Sequence, residues 1–130
     1  MILIVGISPS KYNYNPLVPF QGAKCEPRLK SWLKRLKISN YEAVNVSDMV
    51  LPSGRSLKVS EYNLERLRHY CNRADKIIAL GRVSEDAVRR VTDKPIFYMP
   101  HPSGGNFAIN STQYVDKMLQ NCYSFLWSQK

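Results

Sequence analysis

The chain has 130 residues, 44% of them hydrophobic, which suits one domain with a buried core, taken here as residues 1–130. Nineteen Lys and Arg against ten Asp and Glu leave a formal charge of +9, a balance that suits a polyanion partner, of which nucleic acid is the commonest. No run of about 18 apolar residues occurs, so no membrane span is expected. The plain alternative for the charge is a basic surface that only aids solubility.

The chain opens on residues 2–7, ILIVGI, a continuous apolar run of the kind a strand covered on both faces shows. It is too short for a secretory leader, and Pro9 and Lys11 follow directly, so the expected location is intracellular: cytoplasm or nucleoid, or nucleus in a eukaryote. Residues 11–24 read as a long loop rich in Tyr, Asn, Pro and Gly. Pro27 then stands where a helix can begin. Leu29, Trp32, Leu33 and Leu36 follow at helical spacing, with Lys30, Lys34, Arg35 and Lys37 on the other side. Residues 41–50 read as a second strand ending in a loop, and residues 51–56 as a turn. Ser60 is the expected N-cap of a helix carrying Leu64, Leu67 and Cys71. Residues 75–81, DKIIALG, form a short buried strand closed by Gly81; residues 84–91 form a short helix. Residues 94–100 make a fourth strand bounded by prolines, and a last amphipathic helix runs from about Ser111 through Val115, Met118, Leu119, Cys122 and Leu126. Trp32 and Trp127 both fall at apolar helical positions and are expected in the core; His69 is expected at the surface.

Alternating strands and helices predict an α/β fold: three layers, α/β/α, around a central four-stranded, mainly parallel sheet. Such folds bind ligands at the carboxyl ends of their strands. Residues 6–13, 45–48, 81–82 and 100–110 all follow strands and are expected to gather along one edge.

Several chemistries lack their residues. There is no G-x-x-x-x-G-K-[ST] for a phosphate loop and no G-x-G-x-x-G after the first strand for a dinucleotide. His69 and His101 are the only histidines and have no acidic cluster beside them, which argues against a metal site. Paired-carboxylate catalysis needs two acids in these loops, and Asp48 stands alone. Cys25, Cys71 and Cys122 are odd in number without C-x-x-C spacing, so they are expected as buried or half-buried thiols rather than disulfides or metal ligands. What remains is polar and mostly uncharged: Ser8, Ser10, Asn13, Asn45, His101, Ser103 and Asn106. Tyr12, Tyr14, Phe20 and Phe107 are interleaved with them. Such a set can stack a flat heterocycle and hydrogen-bond its edge, while Lys11, Lys24 and Arg82 hold phosphates.

Four segments resemble the uracil-DNA glycosylase superfamily, nearest its single-strand-selective monofunctional and mismatch-specific branches. ILIVGISPS is similar to a first motif in which an apolar strand runs into Gly-apolar-Asn-Pro-Gly. PLVPFQG resembles a Val-Pro-Phe-Gly segment, ALGRVSEDAVRRV a Leu-Gly-Arg segment, and HPSGGN a His-Pro-Ser motif with its insertion loop. They occur in the family's order and cover most of the chain.

The resemblance implies a base-excision repair hydrolase that flips uracil, or a related damaged base, out of single- or double-stranded DNA and cuts its N-glycosidic bond. It implies no metal or organic cofactor, and a monomer. Gly6, Ile7 and Ser8 would form the water-activating loop with Ser10. Phe20 would lie beneath the base, Asn45 would read its edge, and His101 would face the oxygen that gains charge. Ser10, Lys11, Arg82 and Ser103 would contact DNA, and Gly104, Gly105, Asn106 and Phe107 would enter the duplex groove. The chain departs from the family at Ser8, where the branch has Asn and others Asp. A hydroxyl orients water but is no base near pH 7, so slower turnover is expected. Two alternatives stay open: a nucleic-acid-binding protein that keeps the scaffold without the chemistry, and an enzyme acting on a free nucleoside or modified base.

Overall fold

The computed structural model describes residues 1–9, 19–20, 25–51, 55–102 and 111–128. Strand β1 (Ile2–Gly6) is followed by helix α1 (Glu26–Arg35) and strand β2 (Tyr41–Asn45). Helix α2 (Leu64–Arg73), strand β3 (Lys76–Leu80), helix α3 (Arg82–Val91), strand β4 (Ile96–Met99) and helix α4 (Thr112–Trp127) complete the alternation. The four strands form one sheet in the order β2-β1-β3-β4, and every pair is parallel, beyond the mainly parallel sheet expected.

The sequence of β1 explains its place. Side chains alternate across a strand, and both sets in β1 are apolar. Ile4 enters a core with Leu29, Trp32 and Leu33 of α1 and Val115, Met118 and Leu119 of α4. Leu3 and Val5 enter the opposite core, with Leu67 and Cys71 of α2 and Ala87 and Val88 of α3. The result is three layers. Crossovers between parallel strands are right-handed, so connections running opposite ways along the sheet lie on opposite faces. Helix α1 carries the chain outward from β1 to β2; α2 carries it back past β1 to β3. The connections leaving β1 and β3 therefore diverge, opening a crevice at the carboxyl ends of those two strands.

Element ends follow local chemistry. Helix α1 has Pro27 and Glu26 in its first turn and Lys34 and Arg35 in its last, as its dipole favours. Helix α2 is capped by Asn63, whose side chain accepts from the Arg66 amide at 3.1 Å, and not by Ser60. Ser60 lies in a preceding 3₁₀ turn, Val59–Glu61, held by the Glu61 carboxylate accepting from the Lys58 amide at 2.9 Å. Strand β2 stops at Asn45, and the loop expected at its end takes over. The amides of Val46 and Ser47 still bond to the carbonyls of Gly6 and Ile7, but the Ser47 hydroxyl then accepts from the Met49 amide at 3.1 Å and turns the chain. Helix α3 begins at Arg82, two residues before the expected Ser84, because Gly81 takes the N-cap position with φ 89°.

The amino edge of the sheet is stapled by lysines. The Lys76 ammonium donates to the carbonyls of Phe125 and Leu126, both at 2.7 Å, closing the last turn of α4. The Lys94 ammonium donates to those of Cys71, Asn72 and Ala74 at 2.8, 2.9 and 2.7 Å, closing the end of α2. Trp32 is buried as expected. Trp127 is not: it is 45% exposed, and its indole N–H donates to the Leu36 carbonyl at 2.9 Å, so a polar bond across the end of α1 holds it rather than core packing. His69 is exposed. Cys25 is half-buried, and Cys71 and Cys122 are buried, with burial pushing their thiols up to about 11 and about 12, so neither is reactive near neutrality. No helix among the described residues is long and apolar enough to cross a membrane.

Candidate active site

The crevice is built first from what Gly6 lacks. Gly6 ends β1 and sits opposite Asn45, the last residue of β2. A methyl group on Gly6 would lie 2.5 Å from Asn45 Oδ1 and 2.6 Å from the Phe20 ring at Cζ. Only glycine lets that amide and that ring close over the strand end. Phe20 itself has φ 68°, a left-handed backbone that turns its ring inward, and it is buried in the α1–α4 core. Asn45 is 4% exposed, and its Oδ1 has no hydrogen-bond partner among the described residues. Buried polar atoms are nearly always paired, so an orphaned acceptor in a cleft is informative.

The other wall centres on Gly81. Its amide donates to the Met99 carbonyl at 2.8 Å, extending the pairing of β3 with β4. A methyl group there would lie 3.2 Å from Ile7 Cδ1 and 3.6 Å from His101 Cβ. The turns after β1, β3 and β4 thus meet at one point. His101 is flanked by the buried Pro100 and Pro102, and its partial burial pushes the imidazole below its ordinary 6.5, so it is neutral at pH 7. Ser8, half-buried, follows Ile7 and precedes the buried Pro9. At the rim, Arg82 is largely exposed; its guanidinium stacks 3.8 Å from the Tyr98 ring centroid and pairs with Glu85 at 3.1 Å.

Of the residues expected at the site, Gly6, Phe20 and Asn45 lie in one contact group and Ile7, Gly81 and His101 in another. Ser8 adjoins Ile7, and Arg82 stands beside Gly81. Ser10, Lys11, Ser103, Gly104, Gly105, Asn106 and Phe107 lie outside the described residues, as do Asn13, Tyr12, Tyr14 and Lys24. Among the described residues, no three potential metal ligands cluster. One residue escaped the sequence reading. Arg66 donates to the Asn45 carbonyl at 2.8 Å and pairs with Asp48. A signal was available: a cation in the first turn of a helix opposes the helix dipole and needs a specific partner.

The crevice of this three-layer α/β fold brings a histidine, a buried amide and an aromatic ring together, groups able to stack and hydrogen-bond a ligand. The chain matches the uracil DNA glycosylase superfamily over residues 1–122 and belongs to that family. No curated protein matches it. The family acts on DNA, and glycosylase chemistry is the class of activity that membership brings.

Proposed function

We propose that this chain is a DNA glycosylase hydrolysing the N-glycosidic bond of uracil, or of a related damaged base, turned out of DNA into the crevice. The observation that carries the reading is the orphaned Oδ1 of Asn45 beside the Phe20 ring. A buried acceptor demands a donor. The N3–H of uracil is a donor, whereas N3 of cytosine is an acceptor. In the pose uracil takes, cytosine sets its N3 lone pair against Oδ1, acceptor facing acceptor, a penalty of about 1–3 kcal/mol while the amide keeps this orientation. Flipping costs a few kcal/mol, least at mismatches and in single strands.

In the reaction the C1′–N1 bond breaks and its electron pair passes to the base, whose O2 gains negative charge. The His101 N–H donates to that oxygen. Being neutral, the imidazole stabilises the anion without surrendering its proton; donors so placed are worth about 10²–10³-fold. Water held by the Ser8 hydroxyl adds to C1′ and loses a proton, which ends on the released base or in solvent. Ser8 gives orientation without general-base help, itself worth about 10²–10⁴-fold in sites that have it. Arg82 and the remaining basic surface hold phosphates.

Uracil-containing oligonucleotides, single- and double-stranded, incubated with enzyme in excess and then cleaved with alkali, test the proposal. Abasic product is expected, and its absence overturns the catalytic claim. Ser8 favours a second reading, in which the scaffold binds DNA without turnover. Under it DNA affinity persists while Ser8→Asn restores excision; a variant as silent as the parent rejects Ser8 as the cause.

A further inference from the structure

We infer that Arg66, together with Asp48, is a positioning residue for Asn45 and thereby sets which base the crevice accepts; this rests on the reading of Asn45 as the base-selecting group.

Strand β2 is an edge strand, with β1 on one side only. Val46 turns its amide toward β1, bonding to the Gly6 carbonyl at 2.9 Å. Neighbouring residues of a strand point opposite ways, so the Asn45 carbonyl faces outward, where no strand pairs with it. The Arg66 guanidinium takes that place, donating from Nη2 to the carbonyl at 2.8 Å. Its Nη1 bonds the Asp48 carboxylate. One planar group therefore grips both ends of the turn that leaves the strand. The Asn63 amide adds a bond to the Val46 carbonyl at 2.8 Å. With its own carbonyl and the following residue both held, the direction of the Asn45 Cα–Cβ bond is set, and so is the line along which its amide reaches into the crevice.

Arg66 occupies a place a structural cation would avoid. It is the third residue of α2, near the positive end of the helix, and its backbone amide is bound by the Asn63 side chain. Its Nε is buried without a partner among the described residues, as is Asn45 Oδ1. The two residues also line, with Asp48, Pro19 and Tyr70, a small cavity of about 40 Å³ on the outer side of β2. A lysine could supply the charge at this position but not a planar fork reaching a carbonyl and a carboxylate at once.

The test measures binding of free uracil and free cytosine to the full chain through the side-chain amide resonances of Asn45, in parallel with uracil excision from an oligonucleotide. Wild type, Arg66→Lys, Arg66→Ala and Asp48→Asn are compared. The expected result is a preference for uracil in wild type that falls about tenfold in Arg66→Lys and Arg66→Ala, well within what misplacing a group by an ångström costs. Asp48→Asn is expected to lose about threefold, since the carbonyl bond survives. A purely structural role would lower stability and leave the uracil-to-cytosine ratio unchanged, and an unchanged ratio in folded Arg66→Lys overturns the inference. Should Arg66→Ala fail to fold, Arg66→Lys and Asp48→Asn decide. A wild type that selects uracil but cuts no bond, with selectivity lost in Arg66→Lys, sinks the glycosylase reading and sustains this one. A wild type that takes up neither base overturns this inference, and one that also excises no uracil overturns both.

Discussion

The two edges of the sheet treat their polar groups in opposite ways. At the amino edge, Lys76 and Lys94 donate to five carbonyls between them, closing the ends of α4 and α2. At the carboxyl edge lie all three buried side-chain polar atoms that lack a partner among the described residues: Asn45 Oδ1, Arg66 Nε and Ser84 Oγ. Asn45 ends β2, while Arg66 and Ser84 sit in the first turns of α2 and α3. Leaving a polar atom unpaired lowers stability, so the amino edge is organised for the fold, while under the proposed function the carboxyl edge keeps polar groups for a base.

Substitutions at each edge should therefore separate stability from activity. The largest effect is expected from His101→Ala, which should cut uracil excision about 10²–10³-fold in a single-turnover gel assay while leaving far-ultraviolet circular dichroism unchanged. Loss of fold instead would return His101 to the core. Next, Lys94→Met strips three helix-end carbonyls of their donor and should cost about 1–3 kcal/mol in urea denaturation, with excision by the folded fraction unaltered. Gly6→Ala works the other way: overpacking against Asn45 and Phe20 should cost about 1–3 kcal/mol and abolish base binding together, read by denaturation and by uracil titration.

The pH response gives a smaller effect with a definite sign. Burial lowers the His101 pKa in the folded chain, so the unfolded chain takes up a proton first as pH falls. Above the ordinary value of 6.5 both states are neutral and the residue adds no pH dependence; below it stability declines until the folded pKa is passed. Urea midpoints between about pH 7 and pH 5 should show this slope in wild type and less of it in His101→Ala. Smallest is Ser84→Ala, which removes an unpartnered hydroxyl and should raise stability by about 1 kcal/mol in the same assay. A loss there would mean that the hydroxyl supports the fold after all, and would blur the contrast between edges.

Much of this arrangement was legible before any coordinates. Doubly apolar β1, the helical spacing of Leu29, Trp32 and Leu33, and glycine or proline at the ends of β1, β3 and β4 were enough for the three layers and for the edge at which those strands end. Local propensity read less well where a tertiary bond decided the outcome. Ser60 and Asn63 are both good caps, and the Glu61–Lys58 contact selected between them. Trp127 carries the apolar signature of a core residue, yet one hydrogen bond to a distant carbonyl anchors it in the open. Arg66 went unread because its partners are a backbone carbonyl and a lone aspartate, and only its place in the first turn of a helix hinted at them.

That open tryptophan has a practical consequence. Trp32 and Trp127 are the chain's two tryptophans, one sealed between layers and one wet, and both belong to the α1–α4 side. An aqueous quencher will reach only the second, giving two emission populations whose merging marks the moment that layer comes apart. With Trp127 tied to the end of α1, at the sheet edge away from the crevice, its signal tracks the scaffold and stays indifferent to what the crevice holds.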